Sequence, residues 1–334
     1  MSDYVSVSII GLGKMGLLHA GIVNSLPYAR VTSVCEKDVL LSGVAAAVLP
    51  KKIGVFKNVG DMVREGKPDA IYVTTPINTH ATAIEEALKV KSDLSIFAEK
   101  PLAHSYTAAR MLCDLTRGLG GVNMVGFQRR YSPTFLRAKQ LVADEKIGRL
   151  NFYRACCFSS DVLREGSSWR SQRQSGGVLL DLASHMLDVL LWFFGEPSLV
   201  TAAKKSIHSR EVEDYVHALL TYDSGLIGHV DTCWSVRNYR LPTLSLEIYG
   251  EDGILNVTDD YVRLRSDRGQ ASIEYRQMQE QPVPFILAES EYTLEDLCFI
   301  EAVRERKMPT ANFVEAAKVN WLIDQIIESS VRNR

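Results

Sequence analysis

The sequence predicts an α/β protein, in which a doubly wound parallel sheet is followed by an α+β domain with a large open, mainly antiparallel sheet. The length of 334 residues fits two domains. The first third alternates short apolar runs with helical patterns, which is typical of βαβ units. From about residue 199, strand-like runs are separated by hairpin-type turn signals. We therefore place one domain over residues 1–127 and the second over 128–334.

The elements of the first domain follow one another in a regular alternation. The apolar runs expected as strands are 5–10, 31–35, 53–56, 70–74, 94–98 and 124–127. The helical patterns between them are 14–26, 38–48, 58–65, 78–91 and 105–118. Parallel strands that are covered by helices on both faces are continuously apolar, as these runs are. Right-handed crossovers then give the doubly wound arrangement.

The second domain opens with a predicted helix and strand and closes with two helices. The helices are expected over 133–145, 178–194, 289–306 and 312–331, and the first strand over 150–159. Further strand runs fill 199–265. The final helix is a candidate to pack back on the first domain.

Charge and hydropathy exclude several classes of protein. Lys and Arg number 38 and Asp and Glu number 40, for a net charge of −2, so no overall basic field attracts nucleic acid or an anionic membrane. No apolar run is long enough to span a bilayer. The first residues, Met1 to Tyr4, lack the basic and apolar regions of a signal peptide. We expect a cytoplasmic protein that binds neither nucleic acid nor membrane.

The six cysteines are expected to be reduced thiols. No C-x-x-C pair occurs, and Cys156 and Cys157 are adjacent on a predicted strand, so they point to opposite faces. His217, His229 and Asp231 have no spacing typical of metal ligands. We therefore expect no disulfide framework and no metal site.

A glycine loop follows the first predicted strand. It reads Gly11-Leu12-Gly13-Lys14-Met15-Gly16, a G-x-G-x-x-G that opens the first helix. Gly11 permits the tight turn, Gly13 lets a pyrophosphate approach the backbone, and Gly16 lets helix and strand pack closely. The free N–H groups and the positive end of the helix dipole bind phosphate. The context favours a dinucleotide site.

An acidic residue completes this pattern. Glu36 lies 20 residues after Gly16, at the end of the second apolar run. A carboxylate there accepts hydrogen bonds from the ribose hydroxyls of NAD and repels the 2′-phosphate of NADP. The neighbouring Lys37 weakens this exclusion, so NAD is the preferred cofactor and NADP remains possible. The alternative is a glycine turn with a surface Glu-Lys pair.

A lysine stands at the end of the fifth apolar run. Glu99-Lys100-Pro101 follows residue 98, and ligands of open parallel sheets bind beyond the carboxyl ends of the strands. Pro101 cannot continue a central strand. Lys100 is therefore expected in the cofactor cleft, although a lysine at a strand end can also be a solvated charge.

An acid and an imidazole share one predicted helix. Asp181 and His185 are four residues apart, so an α-helix places them on one face among apolar side chains. They line a cleft, or they form a structural pair within the core. Asp188 could orient the ring of His185, and a structural role is favoured for it.

These side chains suit the oxidation of an alcohol by a nicotinamide cofactor. The reaction needs a base for the hydroxyl proton and a positive group beside the developing alkoxide. Imidazole titrates near neutrality and suits the base, which assigns this role to His185. Lys100 suits the electrostatic role, and Asp181 can orient His185 or hold a substrate hydroxyl.

Together the motifs resemble the Gfo/Idh/MocA family of oxidoreductases. They comprise residues 11–16, Thr74-Thr75-Pro76-Ile77-Asn78-Thr79-His80, Glu99-Lys100-Pro101, Gly126-Phe127-Gln128-Arg129-Arg130-Tyr131-Ser132-Pro133, Trp169-Arg170, Gly176-Gly177 with Asp181 and His185, and Ile248-Tyr249-Gly250-Glu251-Asp252-Gly253. Ser175 stands where the family usually has a third glycine. The motifs span most of the chain, and their order is specific.

The resemblance implies a Rossmann domain, a nicotinamide cofactor, and a sugar, polyol (inositol-like) or nucleotide-sugar substrate. Lys100, Asp181 and His185 match the catalytic trio, with His185 as proton carrier. Beyond the glycine loop, Glu36 and Lys37, the cofactor contacts implied are Thr74, Thr75, Pro76, Asn78, His80, Glu99, Lys100, Gln128, Arg129, Trp169 and Arg170. The substrate contacts implied are Lys100, Arg129, Tyr131, Trp169, Arg170, Asp181 and His185. The family usually forms dimers or tetramers through the open sheet, so a homodimer or homotetramer is expected.

Two arginine-rich segments bear on the substrate. Arg164, Arg170 and Arg173 precede the Asp–His helix, and a predicted strand connection carries Trp234, Arg237, Tyr239 and Arg240. Arginine binds phosphate or carboxylate, and aromatic faces stack on sugar rings. Trp234, Arg237 and Tyr239 are therefore further candidates for substrate contact. We expect either an anionic substrate or a surface-exposed basic loop.

Two further classes of function remain open. A sensor or regulatory protein could bind dinucleotide on this fold without catalysis, since fold alone does not discriminate. A structural subunit is disfavoured by the intact glycine loop. Retention of all three catalytic candidates favours an enzyme.

Overall fold

The computed structural model describes residues 4–38, 41, 43, 52–166, 176–239, 241–267, 269, 271–276 and 290–332. The chain divides into two compact units. Unit 1 comprises Met1–Gln128 and Val283–Asn320, and unit 2 comprises Arg129–Pro282 and Trp321–Arg334. The sequence prediction assigned all of 128–334 to the second domain. The described residues 290–320 group with unit 1.

The strands and helices lie close to their predicted positions. The strands are β1 (Val5–Ile10), β2 (Ala29–Cys35), β3 (Gly54–Phe56), β4 (Ala70–Val73), β5 (Ser95–Ala98), β6 (Asn123–Val125), β7 (Leu150–Phe158), β8 (Leu199–Lys205), β9 (Tyr215–Thr221), β10 (Ile227–Cys233), β11 (Thr243–Gly250), β12 (Gly253–Thr258), β13 (Tyr261–Ser266) and β14 (Ala271–Tyr275). The α-helices are α1 (Lys14–Ser25), α2 (Val59–Gly66), α3 (His80–Val90), α4 (Tyr106–Thr116), α5 (Pro133–Ala143), α6 (Ser184–Phe194), α7 (Ser290–Glu305) and α8 (Phe313–Arg332). The helix expected over 38–48 falls mostly outside the described residues.

Unit 1 is built on a parallel sheet with the strand order β3-β2-β1-β4-β5-β6. The central strands β4 and β5 are buried at every position, which explains their continuous apolar sequence. The ring of Tyr72 stacks on Phe97 at 4.6 Å between centroids, and Phe299 of α7 packs edge-on against both. The predicted doubly wound fold is confirmed.

Unit 2 contains a sheet of the order β14-β13-β12-β11-β7-β10-β9-β8. Only the pairing of β7 with β10 is parallel among the described strand pairs of this sheet, and the others are antiparallel. Along β9, buried residues alternate with partly exposed ones, so this strand has one face in the core and one towards solvent. The predicted open, mainly antiparallel sheet is confirmed.

One predicted helix differs in type from the expectation. The sequence predicted a continuous α-helix over 178–194, but Leu179–Ala183 forms a π-helical turn that leads directly into α6. A π-helical turn replaces i→i+4 hydrogen bonds with i→i+5 bonds and is frequent at functional sites. It contains Asp181.

Among the described residues, no helix is long and apolar enough to cross a membrane.

Candidate active site

The glycine loop has the geometry that its sequence requires. Gly11 has φ +91°, and a Cβ on Gly16 would overlap the carbonyl oxygen of Gly11. A Cβ on Gly13 would meet no atom within 4 Å, so the space beside the start of α1 is open. The Thr74 hydroxyl lies 2.8 Å from the Gly11 carbonyl oxygen and supports the loop from β4. Loop and helix terminus therefore fit the pyrophosphate of a dinucleotide.

Glu36 lies beside this loop, at the carboxyl end of β2. Its Oε2 accepts a hydrogen bond from the Leu12 amide at 2.7 Å, and its Oε1 accepts one from the Asp38 amide at 3.0 Å. The carboxylate is only partly buried, so it can still accept hydrogen bonds from a ligand. This position fits an adenosine ribose, and the neighbouring Lys37 is exposed.

Replacing Glu36 with alanine should weaken NAD binding and relax the discrimination against NADP. Hydrogen bonds to a charged group contribute about 1.5–3 kcal/mol, so their loss should make the affinity for NAD roughly 10- to 100-fold weaker. Titration of NADH and NADPH by fluorescence would measure both affinities. Asp93→Ala, which removes an exposed carboxylate of the same unit, is the control. An unchanged ratio of the two affinities would show that Glu36 does not contact the ribose.

The loop after β4 carries further expected cofactor contacts. Pro76 and Asn78 are exposed, and Thr75 is partly buried. The Thr79 hydroxyl donates to Thr75 Oγ1 at 2.8 Å, which orders a short turn of 3-10 helix over Ile77–Thr79. These side chains stay candidates for cofactor binding.

His80 has a different position from the one expected. Its side chain is buried, with Nε2 2.9 Å from the Thr75 carbonyl oxygen and Nδ1 3.2 Å from that of Leu102. Burial lowers the pKa of His80, although both carbonyls favour the charged ring. The ring connects the loop after β4 to the segment after Lys100. Because it is enclosed, a direct contact with the cofactor does not fit this placement.

Lys100 follows β5 directly and is partly exposed. The preceding Glu99 is 9% exposed and turns into the protein, where its Oε1 lies 3.0 Å from His19 Nε2. Its Oε2 accepts a hydrogen bond from the Lys100 amide at 3.1 Å. The ribose or nicotinamide contact expected of Glu99 stays a prediction. Gln128, buried in the same unit, donates to the Tyr292 hydroxyl at 3.3 Å.

His19 is the residue of this region whose environment the sequence did not indicate. It lies fully buried between Glu99 and Asp296. Its Nδ1 is 2.8 Å from Asp296 Oδ1. Asp296 is 277 residues away along the chain, so no local pattern indicates the contact.

His19 and Glu99 favour one another's charged forms. Burial by itself lowers the pKa of His19, but the carboxylates of Asp296 and Glu99 outweigh it and hold this pKa well above its usual value. Burial likewise raises the pKa of Glu99, and the hydrogen bond and charge of His19 reverse the shift to a lowered value. Burial raises the pKa of the neighbouring Glu295 well above its usual range. Burial also raises the pKa of Asp296, against the charge and the hydrogen bond of His19. Because both ring nitrogens face acid oxygens, the geometry favours the imidazolium form of His19.

The stability that this cation contributes should depend on pH. Since the pKa of His19 in the folded protein is raised above 6.5, its contribution is complete below pH 6.5 and is lost as pH rises through the folded-state pKa. The difference in melting temperature between the wild type and His19→Gln should therefore shrink from about pH 6 to about pH 10. Differential scanning calorimetry across this range would measure it. A constant or growing difference would contradict the assignment of a buried imidazolium.

Unit 2 contributes the segment that carries Asp181 and His185. Gly176 and Gly177 have φ values of +79° and +81°, and a Cβ on Gly177 would overlap the Glu213 carboxylate. Glu213 Oε1 accepts a hydrogen bond from the Leu179 amide at 3.2 Å. Ser175, where the family usually has a third glycine, lies outside the described residues.

Asp181 and His185 are the partly exposed positions of this segment. Each is flanked by buried residues such as Leu182, Ser184 and Met186. This exposure agrees with side chains that face a cleft. Lys100 belongs to unit 1 and these two residues belong to unit 2, so the meeting of all three stays a prediction.

Two arginines of the Gln128–Tyr131 segment form ion pairs within unit 2. The guanidinium of Arg130 binds the buried Asp188 carboxylate, with Nη2 2.6 Å from Oδ1. This contact agrees with the structural role favoured for Asp188. Arg129 Nη1 lies 2.5 Å from Asp259 Oδ1. A cofactor or substrate contact by Arg129 would have to coexist with this pair.

The expected substrate contacts differ in their exposure. Trp234 is fully buried and donates from Nε1 to Asp214 Oδ1 at 2.5 Å, so its ring is not available for stacking on a sugar. Arg237 is exposed, and Tyr131 and Tyr239 are partly buried, so these three stay candidates. Arg164 is exposed. Trp169, Arg170, Arg173 and Arg240 lie outside the described residues.

Histidine and carboxylate side chains also occur on the partly exposed face of the unit 2 sheet. His217 Nδ1 lies 3.1 Å from Asp231 Oδ1, which also accepts a hydrogen bond from the Tyr215 hydroxyl at 2.7 Å. Across the part of the chain that the structure describes, no three His, Cys, Asp or Glu side chains are grouped to hold a metal ion.

Comparisons with known proteins agree with this architecture. Residues 5–127 match the model of an oxidoreductase family with an NAD-binding Rossmann fold, and residues 135–256 match the Gfo/Idh/MocA C-terminal domain. The chain is 26% identical to a scyllo-inositol 2-dehydrogenase (NAD(+)) of Bacillus subtilis strain 168, over 100% of this chain and 96% of that protein. It is 29% identical to an inositol 2-dehydrogenase of Rubrobacter xylanophilus, over 77% of this chain and 72% of that protein.

Among solved structures, levoglucosan dehydrogenase in complex with NADH and levoglucosan is similar to this chain. The TM-score is 0.87 at 22% identity, with coverage of 99% of this chain and 98% of the other. At this identity the likeness establishes the fold alone. Both family models and the inositol dehydrogenase relative, which matches over its full length, indicate the same family. The chain is therefore an oxidoreductase of the Gfo/Idh/MocA family, and its cofactor is NAD.

Proposed function

We propose that this enzyme transfers hydride between NAD and a secondary alcohol carbon of a sugar or of an inositol-like polyol. The observation that carries the proposal lies within unit 1. The glycine loop after β1, Glu36 after β2 and Lys100 after β5 all follow the carboxyl ends of strands of one parallel sheet. Ligands of such sheets bind at this edge. The full-length similarity to an inositol dehydrogenase supports the substrate class.

The residues that would hold NAD are those of unit 1. The amides at the start of α1 would bind the pyrophosphate, and Glu36 would accept hydrogen bonds from the adenosine ribose. The loop with Thr75, Pro76 and Asn78 would complete the site. When bound, NAD supplies the acceptor of the hydride. NADP stays a possible cofactor because Lys37 lies beside Glu36 and is exposed.

In the proposed mechanism, three side chains act on the substrate hydroxyl. His185 takes the hydroxyl proton as general base. The Lys100 ammonium stabilises the negative charge that develops on this oxygen. Asp181 orients the imidazole or holds a second hydroxyl. The partial exposure of Lys100, Asp181 and His185 supports these roles, because each can be reached by a small molecule.

A substrate screen tests the proposal. NAD and NADP would each be offered with inositols, anhydrosugars, free sugars, uronates and nucleotide sugars, and the absorbance of reduced nicotinamide followed. We expect turnover with NAD and a neutral polyol or sugar. Turnover of uronates or nucleotide sugars instead would favour the anionic substrate that the arginines suggest. Tight NAD binding without turnover of any class would favour the non-catalytic sensor.

We also propose that the partly exposed face of the unit 2 sheet joins copies of this chain as a homodimer or homotetramer. The alternation of β9 leaves Tyr215, His217 and Leu219 at this face. Light scattering during size-exclusion chromatography would give the mass, and a monomer at micromolar concentration would contradict the proposal. We propose a reducing, cytoplasmic location, as expected from the spacing of the cysteines.

A further inference from the structure

A chain of buried charged groups ends at the backbone of Lys100. Asp296 of α7 contacts His19 Nδ1, with its two oxygens at 2.8 and 2.9 Å. His19 Nε2 contacts Glu99 Oε1 at 3.0 Å, and Glu99 Oε2 accepts the Lys100 amide at 3.1 Å. All four residues belong to unit 1. Three elements far apart in sequence therefore converge on the residue at the end of β5.

The surroundings of this chain of contacts are closed to solvent and combine aromatic rings with the buried Glu295 carboxyl. His19 and Asp296 are fully buried. The imidazole lies 5.0 Å from the Phe97 ring and 5.4 Å from the Tyr72 ring, measured between centroids. Hydrogen bonds between charged groups are strong and directional in such a medium. The orientation of Glu99 is therefore closely defined.

The protonation state makes His19 suited to hold two carboxylates at once. A neutral imidazole has one donor and one acceptor nitrogen, whereas the imidazolium donates from both. Both nitrogens of His19 face carboxylate oxygens, which can only accept when ionised. The raised pKa of His19 agrees with this geometry. Removing the ring would take away the side chain that contacts Glu99 Oε1.

We propose that His19 is a positioning residue for Lys100, because through Glu99 it fixes the direction in which the end of β5 presents the Lys100 side chain. The inference rests on the proposed catalytic role of Lys100. The segment is also held from its other side, since His80 Nδ1 lies 3.2 Å from the Leu102 carbonyl oxygen. Buried histidines therefore contact the chain on both sides of Lys100, with His19 at Glu99 and His80 at Leu102.

The rival explanation is that the Asp296–His19–Glu99 cluster stabilises unit 1 and nothing more. Both explanations allow a lower melting temperature when His19 is replaced. They differ at Lys100: positioning requires that the effect on catalysis vanish when the Lys100 amine is absent, whereas general destabilisation acts whether or not the amine is present.

A double-mutant cycle on the full-length protein tests the inference. His19→Gln should lower kcat about 10- to 100-fold, because small displacements of a catalytic group have effects of this size, while the KM for NAD changes less than about threefold. In a Lys100→Ala background the same substitution should cause no further loss of kcat. An equal loss in both backgrounds, or an unchanged kcat in His19→Gln, would overturn the inference.

Amide hydrogen exchange gives a readout that needs neither substrate nor cofactor. In His19→Gln, the Lys100 amide should exchange at least about tenfold faster than in the wild type, because a difference of 1.4 kcal/mol in local opening is a factor of 10. Glu99→Gln, which keeps the side-chain volume, should reproduce the effect if His19→Gln does not fold. Ser8→Ala removes a buried contact of unit 1 between the hydroxyls of Ser8 and Ser33, and it should leave the exchange rate of the Lys100 amide unchanged.

The outcomes separate the two proposals. Full activity of Lys100→Ala together with faster Lys100 exchange in His19→Gln would refute the catalytic role of Lys100 and leave the structural coupling intact. An unchanged Lys100 exchange rate in both His19→Gln and Glu99→Gln would overturn the coupling, whatever the activity of Lys100→Ala.

Discussion

Replacing Lys100 with alanine is expected to lower turnover by a factor of about 10² or more while NAD still binds. The ammonium is the group that would stabilise negative charge on the substrate oxygen in the transition state. Because this interaction is stronger in the transition state than in the ground state, its loss reduces kcat more than it raises KM. Steady-state kinetics with the substrate found in the screen, and fluorescence titration of NADH, would measure the two effects.

Lys89→Ala is the matched control, because Lys89 is an exposed lysine of α3 in the same unit. It should leave both kinetic constants unchanged. A second variant, Lys100→Arg, retains the charge with a different shape and should recover only part of the lost turnover. Turnover within threefold of the wild type in Lys100→Ala would remove Lys100 from the mechanism.

Replacing His185 with alanine is expected to impair oxidation at neutral pH by a similar factor. General base catalysis contributes typically 10²–10⁴-fold, and the imidazole is the proposed acceptor of the hydroxyl proton. At higher pH, hydroxide can take over part of the proton transfer, so the defect should diminish as pH rises. The ratio of wild-type to variant kcat between about pH 6 and pH 10 would measure this trend.

His208→Ala tests whether the loss is specific, since His208 is a partly exposed histidine of the same unit that has no assigned role. Its turnover should match the wild type across the pH range. If His185→Ala retained wild-type turnover at neutral pH, the base would have to be another group, and the proposed mechanism would fail at this step.

The fold and the cofactor loop were largely predictable because their signals are local. The apolar runs of β1 and β4 and the period of the helices between strands are set by neighbouring residues. The glycine loop is equally local, since Gly11 and Gly16 each meet a steric requirement of one turn. Glu36 could be found because its distance from the loop is set by one βαβ unit.

The contacts that the sequence did not indicate arise where distant segments meet. Nothing near His19 in the sequence indicates Asp296, and the buried contacts that occupy His80 and Glu99 are with groups on other elements. Trp234 was expected to contact substrate, but the Asp214 carboxylate, 20 residues away, accepts the hydrogen bond from its indole.

By itself the sequence determined the two sheets, the glycine loop with Glu36, and the strand end that presents Lys100, because periodicity and turn chemistry act over a few residues. Only the tertiary structure decided that residues 290–320 belong to unit 1 and that His19 lies between two acids. It also decided that Asp181 lies in a π-helical turn. These features depend on which buried polar groups find partners, and packing of the whole chain decides that.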